Sequence, residues 1–179
     1  IIAKIEKFEA IEDLEAIGEA ADGMMVARGD LGIDLPTEQI PLLQKRIIHL
    51  GNVLGKPVIT ATQMLQSMVD YPRPTRAEAS DVANAVLDGT DAVMLSGETA
   101  AGKYPVESVE MMKNIANMME SEFPYELWRQ QRLQIASLGR IDEAITTASC
   151  SIAERIDAKV IVTSTMSGYT AQQIARHRP

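Results

Sequence analysis

Side chains able to do chemistry recur at one kind of place in this 179-residue chain: the end of a short apolar run. The runs are IIAKIE (1–6), GMMVARGDLG (23–32), PVITA (57–61) with Thr62 behind it, and DAVML (91–95) followed by Ser96-Gly97-Glu98. Taken as one surface, these ends offer Lys4 and Glu6, Arg28 and Asp30, Thr62, and Ser96 with Glu98. In a strand, residues i and i+2 point the same way, so Lys4 and Glu6 share a face. Two carboxylates from neighbouring strand ends, Glu6 and Asp30, suit a hard divalent cation such as Mg2+. That ion keeps octahedral oxygen coordination and draws its remaining ligands from water and substrate. A lysine beside such a site neutralises charge on a phosphate or on a forming enolate. A Schiff-base nucleophile is the other chemistry open to Lys4, and the metal-type carboxylate pair argues against it. The backbone N–H groups of Ala27 to Asp30 are available to a substrate carboxylate. Zinc is disfavoured, because Cys150 is alone and His49 and His177 lie far apart in the sequence.

Each residue has a competing structural reading. Lys4 and Glu6 would also make an interior ion pair. An isolated Asp such as Asp30 most often caps a turn, and Thr62 and Ser96 would also satisfy turn backbone groups. Singly, the structural reading is favoured. With every strand contributing at the same end, the functional reading is favoured.

The elements that must position these groups follow from periodicity. Helical spacing of apolar residues is expected over 9–20, over 37–54 after Pro36, over 77–88, and from Pro105 to about residue 120. Gly55 and Gly89 stop two of these helices. MLQSMV is expected as a short helix and YPRPTR (71–76) as a rigid basic loop, since it holds two prolines. Strand, polar end and helix thus occur four times with short connections, the pattern of parallel βα units. No G-x-G-x-x-G follows any strand. Polar groups at all four strand ends favour a TIM (β/α)8 barrel over an open dinucleotide-binding sheet. Four units make half of such a barrel. Residues 121–140, with Pro124 and Trp128, break the pattern and read as a connector. A helix over 141–156, a strand over 159–163 (KVIVT), a polar turn STMSGYT (164–170) and a helix AQQIARHR read as the start of a second α/β domain. The expected division is therefore 1–120, 121–140 and 141–179.

Composition narrows the classes. Apolar residues make up 46% and charged residues 23%, as in ordinary globular domains. The net charge of −8 disfavours nonspecific nucleic-acid binding and anionic membranes. No apolar run approaches the ~18 residues of a membrane span. One cysteine allows no internal disulfide, which fits a reducing cytoplasm. The chain opens Ile-Ile-Ala-Lys with no Met and closes at Arg178-Pro179, so both ends read as cut.

The segments IIAKIEK, DGMMVARGDLGIDLP, GKPVITATQML and PRPTRAEASDVANAVLDGTDAVMLSGETAAGKYPVE closely resemble pyruvate kinase, and the likeness covers nearly the whole chain. The resemblance implies the last four strands of the catalytic barrel and the beginning of the C-terminal regulatory domain. It implies that Lys4 stabilises the transferring phosphoryl group and the enolate of pyruvate. Glu6 and Asp30 become ligands of Mg2+ or Mn2+. Ala27, Arg28 and Gly29 match the segment whose backbone holds the substrate carboxylate. Thr62 matches a threonine at the substrate site, and Ser96 a serine on the proton-transfer side. The implied reaction is phosphoryl transfer from phosphoenolpyruvate to ADP, giving pyruvate and ATP in glycolysis. Transfer between two anions needs positive charge and positioning more than a covalent nucleophile.

The resemblance further implies a K+ requirement with ligands outside this chain, a homotetrameric complete protein, and a sugar-phosphate effector loop. That loop comprises Thr163, Ser164, Thr165, Ser167, Gly168 and Thr170, for which a plain Ser/Thr-rich helix cap is the competing reading. Lys7 stands where many relatives have Asn. The first four barrel strands, the lid domain and most nucleotide contacts have no counterpart here, so the isolated piece is expected to be inactive. A Mg2+-dependent barrel lyase handling pyruvate or its enolate, and a non-catalytic fragment binding metal or effector, are the alternatives.

Overall fold

The computed structural model describes residues 1–125, 127, 128 and 141–179. These fall into two units, Ile1–Phe123 and Pro124–Pro179. The first unit is built on four strands, β1 (Ile2–Ile5), β2 (Gly23–Ala27), β3 (Val58–Ala61) and β4 (Ala92–Met94). They form one parallel sheet in sequence order. Sequential order with helical connections means that each βα unit is laid beside the one before it. The register is unbroken from strand to strand: Ile5 lies beside Val26, Val26 beside Thr60, and Thr60 beside Val93. All four strands therefore end at one rim of the sheet, and Glu6, Arg28 and Thr62 each follow a strand without an intervening residue.

The connecting helices bury their apolar sides on this sheet. Helix α4 (Ile40–Leu54) contributes Leu43, Ile47 and Ile48 to a core shared with Ile5, Leu14, Met24, Val26 and Val58. It closes at Gly55, whose φ of 69° is the left-handed conformation that glycine adopts without steric cost. A second core joins Met64, Leu65 and Met68 to Val82 and Ala85 of α5 (Arg76–Leu87) and to Met112 of α7 (Pro105–Ser121).

Several local expectations are corrected. The helix expected over 9–20 is two, α1 (Phe8–Glu12) and α2 (Leu14–Ala20), which meet at Asp13. The polar turn expected after β2 is a helix, α3 (Arg28–Asp34), and a short α6 (Gly97–Ala100) follows β4. β1 is an edge strand with β2 alone beside it, so Ile2 is exposed and only Ile5 is buried. The basic loop ends one residue early, because Thr75 caps α5. Its hydroxyl accepts the Glu78 N–H, while the Glu78 carboxylate accepts the Thr75 N–H.

In the second unit, α8 (Ile141–Arg155) packs on α9 (Tyr169–Ala175), burying Thr146, Cys150, Ile174 and His177. The strand expected over 159–163 does not form among the described residues. A strand needs a hydrogen-bonded neighbour, and here Val160 and Val162 stay exposed. Of the expected connector, residue 126 and residues 129–140 lie outside the described residues.

Candidate active site at the strand ends

The sheet rim carries two clusters. The first is ionic and open. The Lys4 ammonium donates to the Glu6 carboxylate two residues on, and at 2.8 Å to Asp30 Oδ2 of α3. The pleat accounts for the first contact and the parallel register for the second, since Lys4 lies beside Met25 of β2. Lys4 and Asp30 are each about half exposed, at 48% and 46%. Hydrogen bonding to Asp30, then to Glu6, raises the pKa of Lys4 above its ordinary value. The same bond to Lys4, then one with Glu6, holds the Asp30 carboxyl below the usual carboxylate range. The cluster is thus an ammonium held between two carboxyl groups.

Glu6 and Asp30 are hard oxygen donors that converge on one point, the Lys4 ammonium. That donor chemistry fits Mg2+ or Mn2+, with most of the coordination shell left to water and substrate. Among the described residues no group of three or more His, Cys, Asp or Glu side chains gathers to hold a metal.

The second cluster is buried. Arg28 opens α3, and its side chain is only 9% exposed. Its guanidinium donates to the Thr62 carbonyl at 2.7 Å, to the Ala61 carbonyl at 3.4 Å and to Gln44 at 3.3 Å. It also meets both carboxylate oxygens of Asp81, at 2.7 and 2.6 Å. The Thr62 hydroxyl donates to the Ala61 carbonyl and accepts the Gly29 N–H, both at 2.7 Å. One of the backbone N–H groups expected for a substrate carboxylate is therefore engaged within the protein. A Cβ at Gly29 would lie 3.3 Å from that hydroxyl, so glycine permits the close approach. Thr62 and Gln63 have φ of 70° and 54°, the left-handed region that a β-branched residue seldom enters.

Ser96 lies two residues beyond β4, at the start of α6. Its N–H donates at 2.8 Å to Glu98, which is fully buried. Among the described residues no hydrogen bond or ion pair joins Ser96 to Lys4 or Thr62. The structure thus brings together Lys4, Glu6 and Asp30, and separately Ala27 to Gly29 with Thr62.

In the second unit, the Thr165 hydroxyl accepts the Gly168 N–H at 3.0 Å, and the Ser167 hydroxyl accepts the Tyr169 N–H at 3.3 Å. Two hydroxyls of the expected effector loop are thereby turned onto the loop's own backbone. A cavity of about 640 Å3 in this unit is lined by Cys150, Lys159, Ile174 and Arg178, and of the expected effector residues only Thr163 lines it.

Known proteins match this arrangement along the whole chain. The family profile described as "Pyruvate kinase, barrel domain" matches residues 1–109. The chain belongs to the pyruvate kinase family. The profile "Pyruvate kinase, alpha/beta domain" matches residues 143–179. Pyruvate kinase of Bacillus licheniformis is 54% identical over all 179 residues, which span 30% of its length. Pyruvate kinase of Geobacillus stearothermophilus is 56% identical over the same 179 residues, again 30% of its length. A crystal structure of a pyruvate kinase from Cryptosporidium parvum superimposes with a TM-score of 0.98 at 46% identity, covering 100% of this chain and 36% of that one. The chain therefore spans about 30% of the length of the curated relatives it matches.

Sequence reasoning missed Arg28 as a buried clamp, Asp81 as its partner and Glu98 as a buried acceptor. None of the three carries a sequence signal for burial: Arg28 and Glu98 stand beside glycines, and Asp81 lies among polar and small residues of a helix, contexts that ordinarily read as surface.

Proposed function

We propose that this chain carries the metal and phosphoenolpyruvate side of a pyruvate kinase active site, with the sheet forming the second half of a TIM barrel. The observation that carries the reading is the Lys4 ammonium held between Glu6 and Asp30 at the sheet rim. The sequential, all-parallel order of the four strands supports the half-barrel.

In the reaction, the phosphoryl group leaves the enol oxygen of phosphoenolpyruvate and joins a terminal oxygen of ADP, and the enolate left behind takes a proton at its methylene carbon. A divalent cation held by Glu6 and Asp30 supplies charge neutralisation between the anionic reactants. Lys4 contributes a fixed positive charge with donors aimed at the transferring phosphoryl and enolate oxygens. The backbone of Ala27, Arg28 and Gly29, next to Asp30, seats the substrate carboxylate. Thr62 borders the substrate, and Ser96 lies on the side from which the proton arrives. The family resemblance adds K+, a sugar-phosphate effector at 163–170, a cytoplasmic location and a tetrameric complete protein. No described helix is long and apolar enough to cross a membrane.

Calorimetric titration of a family-length protein carrying these 179 residues tests the reading. Phosphoenolpyruvate is expected to bind only when Mg2+ is present. Binding that ignores the metal, or no binding with metal present, contradicts it. The 179-residue chain alone is expected to form no pyruvate from phosphoenolpyruvate and ADP, and measurable pyruvate overturns that part.

A further inference from the structure

We propose that Glu98 and Arg28 are positioning residues that hold the corner Thr62–Leu65 and the turn at Ser96 in place for the chemistry assigned to Thr62 and Ser96. This deepens the proposed function and rests on it. Glu98 is fully buried, and among the described residues no cationic side chain pairs with it. Its carboxylate accepts two backbone N–H groups, from Leu65 at 3.1 Å and from Ser96 at 2.8 Å. One side chain thus ties the segment after β3 to the turn after β4. A buried carboxylate without a counter-charge is costly unless backbone donors satisfy it, and packing alone would be served by an apolar residue.

Arg28 acts on the same corner from the other side. It takes the carbonyls of Ala61 and Thr62, where the chain enters the left-handed pair Thr62 and Gln63. Two successive non-glycine residues in that region persist only where their surroundings over-determine them. Arg28 fixes the entry to the corner and Glu98 fixes its exit. Glycine at 102 leaves room for the backbone of Glu98, since a Cβ there would lie 2.4 Å from its main-chain carbonyl oxygen.

The test uses a family-length protein carrying these residues. Glu98→Gln keeps the shape but turns an amide NH2 toward one of the two N–H donors, so one anchor is lost. We expect kcat to fall about 10²-fold while KM for phosphoenolpyruvate moves by less than about threefold, the pattern of misplaced rather than unbound reactants. Adding Gln63→Gly lowers the conformational demand of the corner and is expected to recover about tenfold of the loss. An unchanged kcat, or a raised KM with kcat retained, overturns the proposal. Should Glu98→Gln fail to fold, Arg28→Lys keeps the charge facing Asp81, loses the fork to the two carbonyls, and is read by the same two outcomes. Amide hydrogen exchange of the unsubstituted protein gives an answer without any variant. The Leu65 and Ser96 N–H groups are expected to exchange as slowly as core amides, and exchange at the rate of open turns overturns the clamp. Absence of pyruvate formation by the unsubstituted protein counts against the proposed function alone.

Discussion

Arg28 and Asp30 stand two residues apart in one helical turn, yet they belong to opposite kinds of site. Asp30 faces the open rim with Lys4 and Glu6, where each charge is partly wet. Arg28 turns inward to Asp81 and to the carbonyls of Ala61 and Thr62. The exposed cluster contributes little to holding the fold, because exposed ion pairs are screened by solvent. The buried cluster ties the ends of two strands, β2 and β3, together and presents little to a ligand. Charge at a strand end thus divides into groups that meet substrate and groups that aim the backbone beside it, and exposure separates the two.

That division is broken most readily at Lys4. In a family-length protein, Lys4→Met is expected to lower kcat by about 10³-fold, since a preorganised cation opposite a transferring phosphoryl group is lost. The melting temperature should stay within experimental error. A steady-state assay beside a calorimetric scan checks both, and a large loss of stability would move Lys4 into the structural class.

The reverse pattern is expected at Arg28. Arg28→Ala leaves two carbonyls and Asp81 without their donor and is expected to cost about 3 kcal/mol of unfolding free energy. Urea denaturation measures it. A loss below about 0.5 kcal/mol, the level of ordinary surface changes, would remove the buried cluster from the account.

Glu78 gives a smaller, pH-dependent effect. Burial pushes its carboxyl up, but hydrogen bonds from the Ser67 hydroxyl and N–H and from Thr75 together hold it below its ordinary value. A depressed folded-state pKa contributes stability that is fully present above the unfolded value of 4.5 and is lost as pH falls through the folded one. Glu78→Gln is expected to cost about 1 kcal/mol at neutral pH, and the difference from the unsubstituted chain should shrink as pH falls below 4.5. A difference that does not change between neutral and acid pH contradicts this. The smallest effect is expected from Gln63→Gly, a gain of about 0.5 kcal/mol from relieving a left-handed non-glycine residue, offset by the greater freedom of glycine in the unfolded chain.

The parallel βα order was legible because apolar runs end in polar residues four times, and the pairing of Lys4 with Glu6 followed from the two-residue pleat. The inward turn of Arg28 was not legible. It depends on α3 starting directly at the end of β2, and the glycines at 29 and 32 read as a loop. The capping box of Thr75 and Glu78 was present as T-x-x-E but lay beside two prolines that dominated the reading. Residues 159–163 show the converse limit. Val160, Ile161 and Val162 make an apolar β-branched run as in a strand, but such a run does not supply the neighbouring chain that a strand requires. Glu98 was legible as a strand-end polar residue and not as a buried one, because burial of a carboxylate depends on two N–H donors, one of them 33 residues away in sequence.

The measurement that bears most directly on the exposed cluster is a Mn2+ titration, followed by paramagnetic relaxation of water protons, of a family-length protein and its Asp30→Asn variant. The account predicts that the variant, still folded, binds Mn2+ at least about tenfold more weakly, because one of two protein carboxylates is gone. Equal affinity in the two proteins would contradict it.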